Sequence, residues 1–223
     1  MLTLHWIDLT CPVCAANFET ITVVTGGSDS AETDDPALGH TTAELLPYLV
    51  HVCRRCGYAG DVEAFGDDIR ITPDVRARVW AELAPTLAPA VRLPWLLLTA
   101  PGSEKHEGAA KVAEWRAANA LTIAELWIRA ARCAIDEGDL EAERYYARFA
   151  ARWFAEALER NEVAPRERAK LVYGLGQLWL HIGDGRKAAG WFNRVADEVV
   201  EDQVAQQSVA ETTRRQIGDS HDA

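Results

Sequence analysis

Four of the five cysteines of this chain occur as two pairs, each with two residues between its members. The first pair is Cys11 and Cys14, the second is Cys53 and Cys56, and 38 residues separate the pairs. This spacing lets both thiolates of one turn face a single cation, and Gly57 allows the open backbone that such a turn often needs. Four thiolates complete a tetrahedron around Zn²⁺ and leave no position for water or substrate. We therefore predict a structural zinc ion bound by Cys11, Cys14, Cys53 and Cys56.

Two other readings of the four thiols stay open at this point. The pairs also resemble rubredoxin knuckles in the opposite order, so a Cys₄ iron centre that carries electrons is the main alternative. A dithiol redox catalyst is disfavoured, because a reactive cysteine usually lies at a helix N-terminus and these pairs lie between predicted strands.

The charge of the chain disfavours nucleic acid as a partner. The 223 residues carry 23 basic and 34 acidic side chains, a net charge of −11, and residues 1–60 are the most acidic part. Binding to a duplex needs clustered Lys and Arg that displace counterions from phosphates. We expect no nucleic-acid partner, although a zinc-ribbon regulator of transcription remains a third hypothesis.

Targeting signals and membrane spans are not apparent in the sequence. The longest strongly apolar run, residues 93–100, is interrupted by Pro94, whereas a spanning helix needs about 20 apolar residues. The first eight residues lack the pattern of a signal peptide. We expect a cytoplasmic protein with no membrane contact, where thiols stay reduced and paired cysteines indicate a metal.

The elements around the cysteines are predicted to be short strands. Residues 4–9 and 18–24 alternate apolar and polar side chains, which predicts two strands joined by the first cysteine turn. Residues 46–52 and 58–65 also look extended and flank the second pair. The polar stretch 26–44 predicts a loop. A β-rich module of this size has little core to bury, so bound metal would supply much of its folding free energy.

Helical periodicity replaces this pattern after residue 71. Thr72, Pro73 and Asp74 form an N-cap, an N1 proline and an acidic first turn, and the helix that they open is predicted to end near residue 83 or 87. Later helices are predicted at residues 103–119, 121–137, 140–161, 165–182, 185–200 and 203–217. The fold class is thus α+β, with a zinc-ribbon-like module at residues 1–70, a connecting helix and Pro-rich linker at 71–102, and an all-α domain at 103–223.

The helical part contains a short internal sequence repeat. Gly138-Asp139 recurs as Gly183-Asp184, 45 residues later. Small residues at Gly176 and Ala188 match the tetratricopeptide pattern, in which two antiparallel helices approach closely. We predict a tetratricopeptide-like scaffold with a groove for a protein or peptide.

Several other residues are candidates for a functional role. Cys133 is expected to be a buried apolar residue, and His51 to lie on a strand surface rather than to act as a ligand. Trp6 is expected to pack around the metal site with three other aromatic residues, Phe18, Tyr58 and Phe65. Arg144, Arg148 and Arg152 form a basic stripe that is expected to pair with nearby acids; the alternative is a binding stripe for an acidic peptide.

The cysteine motifs together resemble a bacterial family, domain of unknown function 2225. The resemblance begins with Thr10-Cys11-Pro12-Val13-Cys14 and Val52-Cys53-Arg54-Arg55-Cys56-Gly57-Tyr58, continues through Lys105–Trp115 and Gly183-Asp184, and ends near Arg214-Arg215-Gln216. It implies a zinc-ribbon-like module and a tetratricopeptide-like domain in a cytoplasmic protein. Ala15 departs from the Gly that many members have after the first pair.

Our functional prediction is a non-catalytic zinc-binding protein that acts as an adaptor. The sequence shows no nucleophile–base set, no paired carboxylates and no open metal position, so no catalytic residue is predicted. We expect a protein or peptide partner. Two repeats are fewer than such folds usually need, so self-association into a homo-oligomer is an alternative way to bury the apolar ends of the repeats.

Overall fold

The computed structural model describes residues 2–25, 43–90 and 100–198. The predicted helix 203–217 and most of the predicted loop 26–44 lie outside these ranges. The fold class is mixed α+β, as predicted, with β hairpins and the cysteines first and helices after them. None of the helices described is long and apolar enough to cross a membrane.

Two antiparallel hairpins form the β part. Strand β1 (Leu2–Thr10) pairs with β2 (Asn17–Thr25) from Leu2 opposite Thr25 to Thr10 opposite Asn17. Strands β3 (His51–Val52) and β4 (Ala59–Gly60) form a much shorter pair. The first two predicted strands are confirmed, and each is slightly longer than expected.

The other two predicted extended segments were largely wrong. Only two residues of each are strand, because 3-10 helices occupy Ala43–Tyr48 and Glu63–Phe65. The first of these helices contains Pro47, which cannot donate to a strand ladder. In the second, the side chain of Asp61 accepts a hydrogen bond from the amide of Ala64 at 2.9 Å and closes a tight turn.

Most helices begin and end within a few residues of the predicted bounds, but the short helix Leu87–Ala90 was not predicted, because Pro85 and Pro89 indicate a break in helical structure. The helices are α1 (Pro73–Arg78), which continues as a π-helical turn (Val79–Leu83), α2 (Leu87–Ala90), α3 (Gly102–Trp115), α4 (Ala120–Asp136), α5 (Leu140–Glu159), α6 (Pro165–Ile182) and α7 (185–198). Thr72 caps α1 as predicted, since its hydroxyl accepts a hydrogen bond from the amide of Val75 at 3.3 Å.

The two Gly-Asp pairs fold into equivalent turns. Gly138 (φ 77°) and Gly183 (φ 93°) both have left-handed backbone conformations that end a helix. The carboxylates of Asp139 and Asp184 then accept hydrogen bonds from the amides of Ala142 (2.9 Å) and Lys187 (3.0 Å), which start the next helix. The sequence repeat therefore corresponds to a repeated helix–turn–helix geometry. Its assignment to the tetratricopeptide class stays a prediction.

The chain divides into two compact units, residues 1–156 and 157–223. In the first unit, one hydrophobic core joins the cysteines to apolar side chains of α1, the π-helical turn and α3, such as Val75, Val79 and Val112. In the second unit, Leu171, Val172, Leu175 and Ala188 are buried. The predicted domain boundaries after residues 70 and 102 stay predictions.

One buried histidine makes the first unit sensitive to acid. His106 of α3 is fully buried, its Nε2 donates to the carbonyl oxygen of Leu46 at 3.0 Å, and its Nδ1 has no partner. Burial lowers the pKa of His106 to about 4. In the unfolded chain His106 binds a proton below about pH 6.5, whereas in the folded chain it binds one only below about pH 4. The contribution of neutral His106 to stability is therefore fully present above pH 6.5 and is lost as the pH falls from 6.5 to 4.

We expect the free energy of unfolding to fall by about 2–3 kcal/mol between pH 7 and pH 4 on account of His106, at about 1.4 kcal/mol per pKa unit. The His106→Gln variant keeps a donor for Leu46 but cannot titrate, so its pH profile should be flatter by this amount. Denaturant titrations of both proteins at a series of pH values measure the difference. Parallel profiles would show that protonation of His106 is not linked to unfolding.

Candidate metal centre

Each cysteine pair lies in a turn that links two strands, and the two turns have the same backbone geometry. In the first, the Cys11 amide donates to the carbonyl of Ala16 (3.0 Å) and the Ala15 amide donates to the carbonyl of Cys11 (2.8 Å). In the second, the Cys53 amide donates to the carbonyl of Tyr58 (2.8 Å) and the Gly57 amide to the carbonyl of Cys53 (2.8 Å). These turns hold both thiols of each pair on one side of the backbone.

The four sulfur atoms converge on one point. Cys11 Sγ lies 3.5 Å from Cys56 Sγ, Cys14 Sγ lies 3.6 Å from Cys53 Sγ, and all four sulfurs lie within 4.8 Å of one another. Zn–S bonds of about 2.3 Å in a tetrahedron put neighbouring sulfurs about 3.8 Å apart. A disulfide needs about 2.05 Å, and all five cysteines are free. The four residues predicted from their spacing therefore form a cluster that could hold one metal ion.

The cluster lies mostly inside the protein. Cys11, Cys53 and Cys56 are at most 1% exposed, and Cys14 is partly exposed. The rings of Tyr58 and Phe65 pack edge to face at 5.2 Å, and Phe18 meets Phe65 at 5.5 Å in the same core. Burial leaves little room for a further ligand, so the arrangement suits a closed coordination sphere.

The thiols titrate unequally because they donate hydrogen bonds to one another. The pKa of Cys53 is lowered, chiefly by the hydrogen bond with Cys11. The same contact raises the pKa of Cys11, and the pKa of Cys56 is raised mainly by its hydrogen bond with Cys11. One thiolate therefore forms far more readily than four. A divalent cation supplies the charge that four thiolates need.

The profile of one protein family covers almost the whole chain. It is DUF2225, described as an uncharacterised protein conserved in bacteria, and it matches residues 6–218. The chain belongs to this family. The family predicted from the cysteine motifs is thereby confirmed. No curated protein and no solved structure matches the sequence.

In this DUF2225 protein, two contacts join the cysteine turns to the helices. Arg76 of α1 donates from Nη1 to the carbonyl oxygen of Val13, inside the first turn. At the second turn, Gly57 (φ 74°) lies so close to the π-helical turn that a Cβ atom there would be 2.4 Å from the carbonyl oxygen of Leu83. Both contacts join residues that are far apart in the sequence, and no local pattern predicts either of them.

Two predictions about residues near the DUF2225 cluster were wrong. His51 is buried rather than on a surface, and its Nδ1 lies 3.2 Å from the hydroxyl of Thr20 while its Nε2 has no partner. It is not part of the sulfur cluster. Trp6 does not pack around the site, because it is 62% exposed on β1. Phe18, Tyr58 and Phe65 do pack there, as predicted.

The fifth cysteine of this DUF2225 protein lies apart from the cluster. Cys133 is 2% exposed in α4 and packs beside Gly102 of α3. Burial raises its pKa to about 12, which keeps it a thiol. The predicted role as a buried apolar residue is confirmed, and Cys133 provides a natural control for the four clustered thiols.

Proposed function

We propose that this protein is a non-catalytic cytoplasmic zinc-binding protein whose helices act as a scaffold for protein–protein interaction. The observation that carries the proposal is the closed cluster of Cys11, Cys14, Cys53 and Cys56 inside a core shared with the helices. A catalytic metal keeps an open position, and four thiol donors, three of them buried, provide none. We therefore assign the metal to folding rather than to chemistry, in a zinc-ribbon-like module. Five unbridged cysteines suit a reducing compartment.

Iron is the competing ion, because four thiolates also hold iron in electron carriers. The partly exposed Cys14 favours this alternative, since an electron would need a route to the surface. Zinc is preferred because the cluster joins hairpins to helices and no second redox group is implied by the sequence. An iron centre would colour the purified protein, whereas zinc would leave it colourless.

The scaffold role is proposed from the helices. The turns at Gly138-Asp139 and Gly183-Asp184 support two tetratricopeptide-like hairpins, and in the second a Cβ at Gly176 would be 2.3 Å from the ring of Phe192. Several large apolar side chains on these helices remain exposed by 49–62%: Ile135, Leu140, Tyr173 and Leu180. A partner that covered these side chains would remove their apolar surface from water, which favours association.

Elemental analysis of the purified protein tests the metal assignment. We expect one zinc per chain in the wild type, less than about a tenth of that in the Cys53→Ser variant, because a site with three thiolates binds much more weakly, and an unchanged value in the Cys133→Ala variant. Iron in place of zinc would favour the electron carrier. Equal metal content in the two variants would overturn the proposed ligands.

A crosslinking screen tests the scaffold. The metal-loaded full chain should give a specific crosslink to another protein or to a second copy of itself. A chain that stays monomeric and gives no crosslinked partner would contradict the scaffold role. The metal assignment would be unaffected, because elemental analysis tests it separately.

A further inference from the structure

Helix α5 carries two parallel rows of side chains with a spacing of four residues. One row contains Arg144, Arg148 and Arg152, and the other contains the residues that follow each of them: Tyr145, Phe149 and Trp153. Residues four apart lie on one face of a helix, about 6 Å from one another along its axis. The three arginines therefore form a ladder about 12 Å long with aromatic rings beside it. We call these three residues the arginine ladder.

Two rings of the aromatic row, Phe149 and Trp153, contact neighbouring helices and so orient α5 with the arginine ladder facing outward. The ring of Phe149 stacks on Trp127 of α4 at 4.6 Å. The indole N–H of Trp153 donates to Glu114 Oε1 of α3 at 2.9 Å, and Trp127 donates to the same oxygen at 2.7 Å. Because these rings face the neighbouring helices, the preceding arginines are exposed.

The arginine ladder lacks the acidic partners that other basic residues of the helices have. Arg78, Lys111 and Arg129 each form an ion pair with a carboxylate four residues away. Within the residues that the structure describes, in contrast, Arg144 and Arg148 form no ion pair or hydrogen bond, and Arg152 contacts only the ring of Trp153, with its Cζ 5.9 Å from the ring centroid. Glu143, an expected partner, is 3% exposed. The whole chain has a net charge of −11, so this row of exposed arginines has a charge opposite in sign to that of the chain as a whole.

We propose that the arginine ladder is the docking surface for an acidic segment of a partner protein. Two or three carboxylates one helical turn apart would each meet a guanidinium, which binds carboxylates through two parallel hydrogen bonds. Tyr145 (44% exposed) and Leu140 (62% exposed) offer apolar contact beside the charges. This inference rests on the proposed scaffold function and names its surface and the chemistry of its partner.

A protein segment fits the arginine ladder better than a nucleic acid does. The ladder ends after three charges, because the next position of the same row is Glu156. A nucleic acid extends well past three phosphates and would meet the carboxylate of Glu156 at one end of the ladder, whereas a short acidic segment needs only local complementarity.

A phage-displayed library of random 12-residue peptides, selected on the metal-loaded full chain, tests the proposal. The enriched peptides should be rich in Asp and Glu with apolar residues between them. Fluorescence anisotropy with a labelled copy of the best peptide should show at least about tenfold weaker binding to the R144E/R148E variant, since attraction becomes repulsion. The R166E/R186E variant, with the same charge change on exposed arginines of α6 and α7, should stay within about twofold.

Three outcomes overturn the proposal. If the enriched peptides lack acidic residues, or bind R144E/R148E as tightly as wild type, the surface is wrong while the scaffold function stands. If no peptide is enriched and no partner crosslinks, both are wrong. If a 12-base-pair duplex binds more tightly than the peptide and is lost in R144E/R148E, the ladder recognises nucleic acid instead. Far-UV circular dichroism checks that both variants keep the wild-type helix content.

Discussion

Removal of the metal is expected to expose the core of the first unit to solvent and to leave the amides of the second unit protected from hydrogen exchange. The cysteines share one core with Val75, Val79 and Val112, so loss of the proposed ion would free the two hairpin turns from each other and loosen the helices that pack on them. Structural zinc supplies about 10 kcal/mol or more in isolated zinc-finger peptides. Because this core also buries many apolar side chains, we expect a smaller loss here, of several kcal/mol in the free energy of unfolding.

Hydrogen exchange before and after treatment with a chelator measures this effect residue by residue. Amides of the cysteine turns, such as those of Cys53 and Gly57, should lose protection by at least about a hundredfold, which corresponds to about 2.7 kcal/mol. Amides around Leu171 and Leu175 in α6 should change little. The Cys56→Ser variant should resemble the chelated wild type, whereas Cys133→Ser should exchange like the untreated protein in the cysteine turns. Unchanged protection after chelation would mean that the ion does not support the core.

The parts of the fold that the sequence predicts are those determined by neighbouring residues. The two cysteine turns, the cap at Thr72 and the turns at Gly138 and Gly183 each depend on side chains within five positions. The helices were predicted to within a few residues for the same reason, since periodicity and caps act locally. The metal cluster follows from two local turns, because each turn holds its two thiols on one side of the backbone, ready to face a shared ion.

The parts that the sequence does not predict depend on which faces become covered. Alternation along β1 shows that the strand has two faces, but not that Trp6 lies where the core does not reach. His51 is buried by packing against Thr20 and Phe65, contacts formed with residues 31 and 14 positions away in the sequence. The contact between Arg76 and Val13 depends on tertiary packing as well. Such contacts need the folded chain, because local propensity contains no information on them.

The Gly57→Ala substitution is expected to be among the most damaging single changes outside the ligands. Gly57 has φ +74°, a conformation that costs an L-residue about 1–2 kcal/mol. The added Cβ would also lie 2.4 Å from the carbonyl oxygen of Leu83, so the backbone of the π-helical turn must shift, at a further cost of about 1–3 kcal/mol. We expect about 2–5 kcal/mol of lost stability in the metal-loaded protein, measured by denaturant unfolding.

Ala15 supplies the matched control, because it occupies the same position of the first cysteine turn with φ 55°. The Ala15→Gly substitution relieves left-handed strain but adds freedom to the unfolded chain, so we expect a change between zero and a gain of about 1 kcal/mol. Metal affinity, measured by competition with a chromophoric chelator, should fall in Gly57→Ala and hold in Ala15→Gly. If Gly57→Ala unfolds like wild type, the second turn does not depend on its close approach to Leu83, and the helices would not be coupled to the metal at that point.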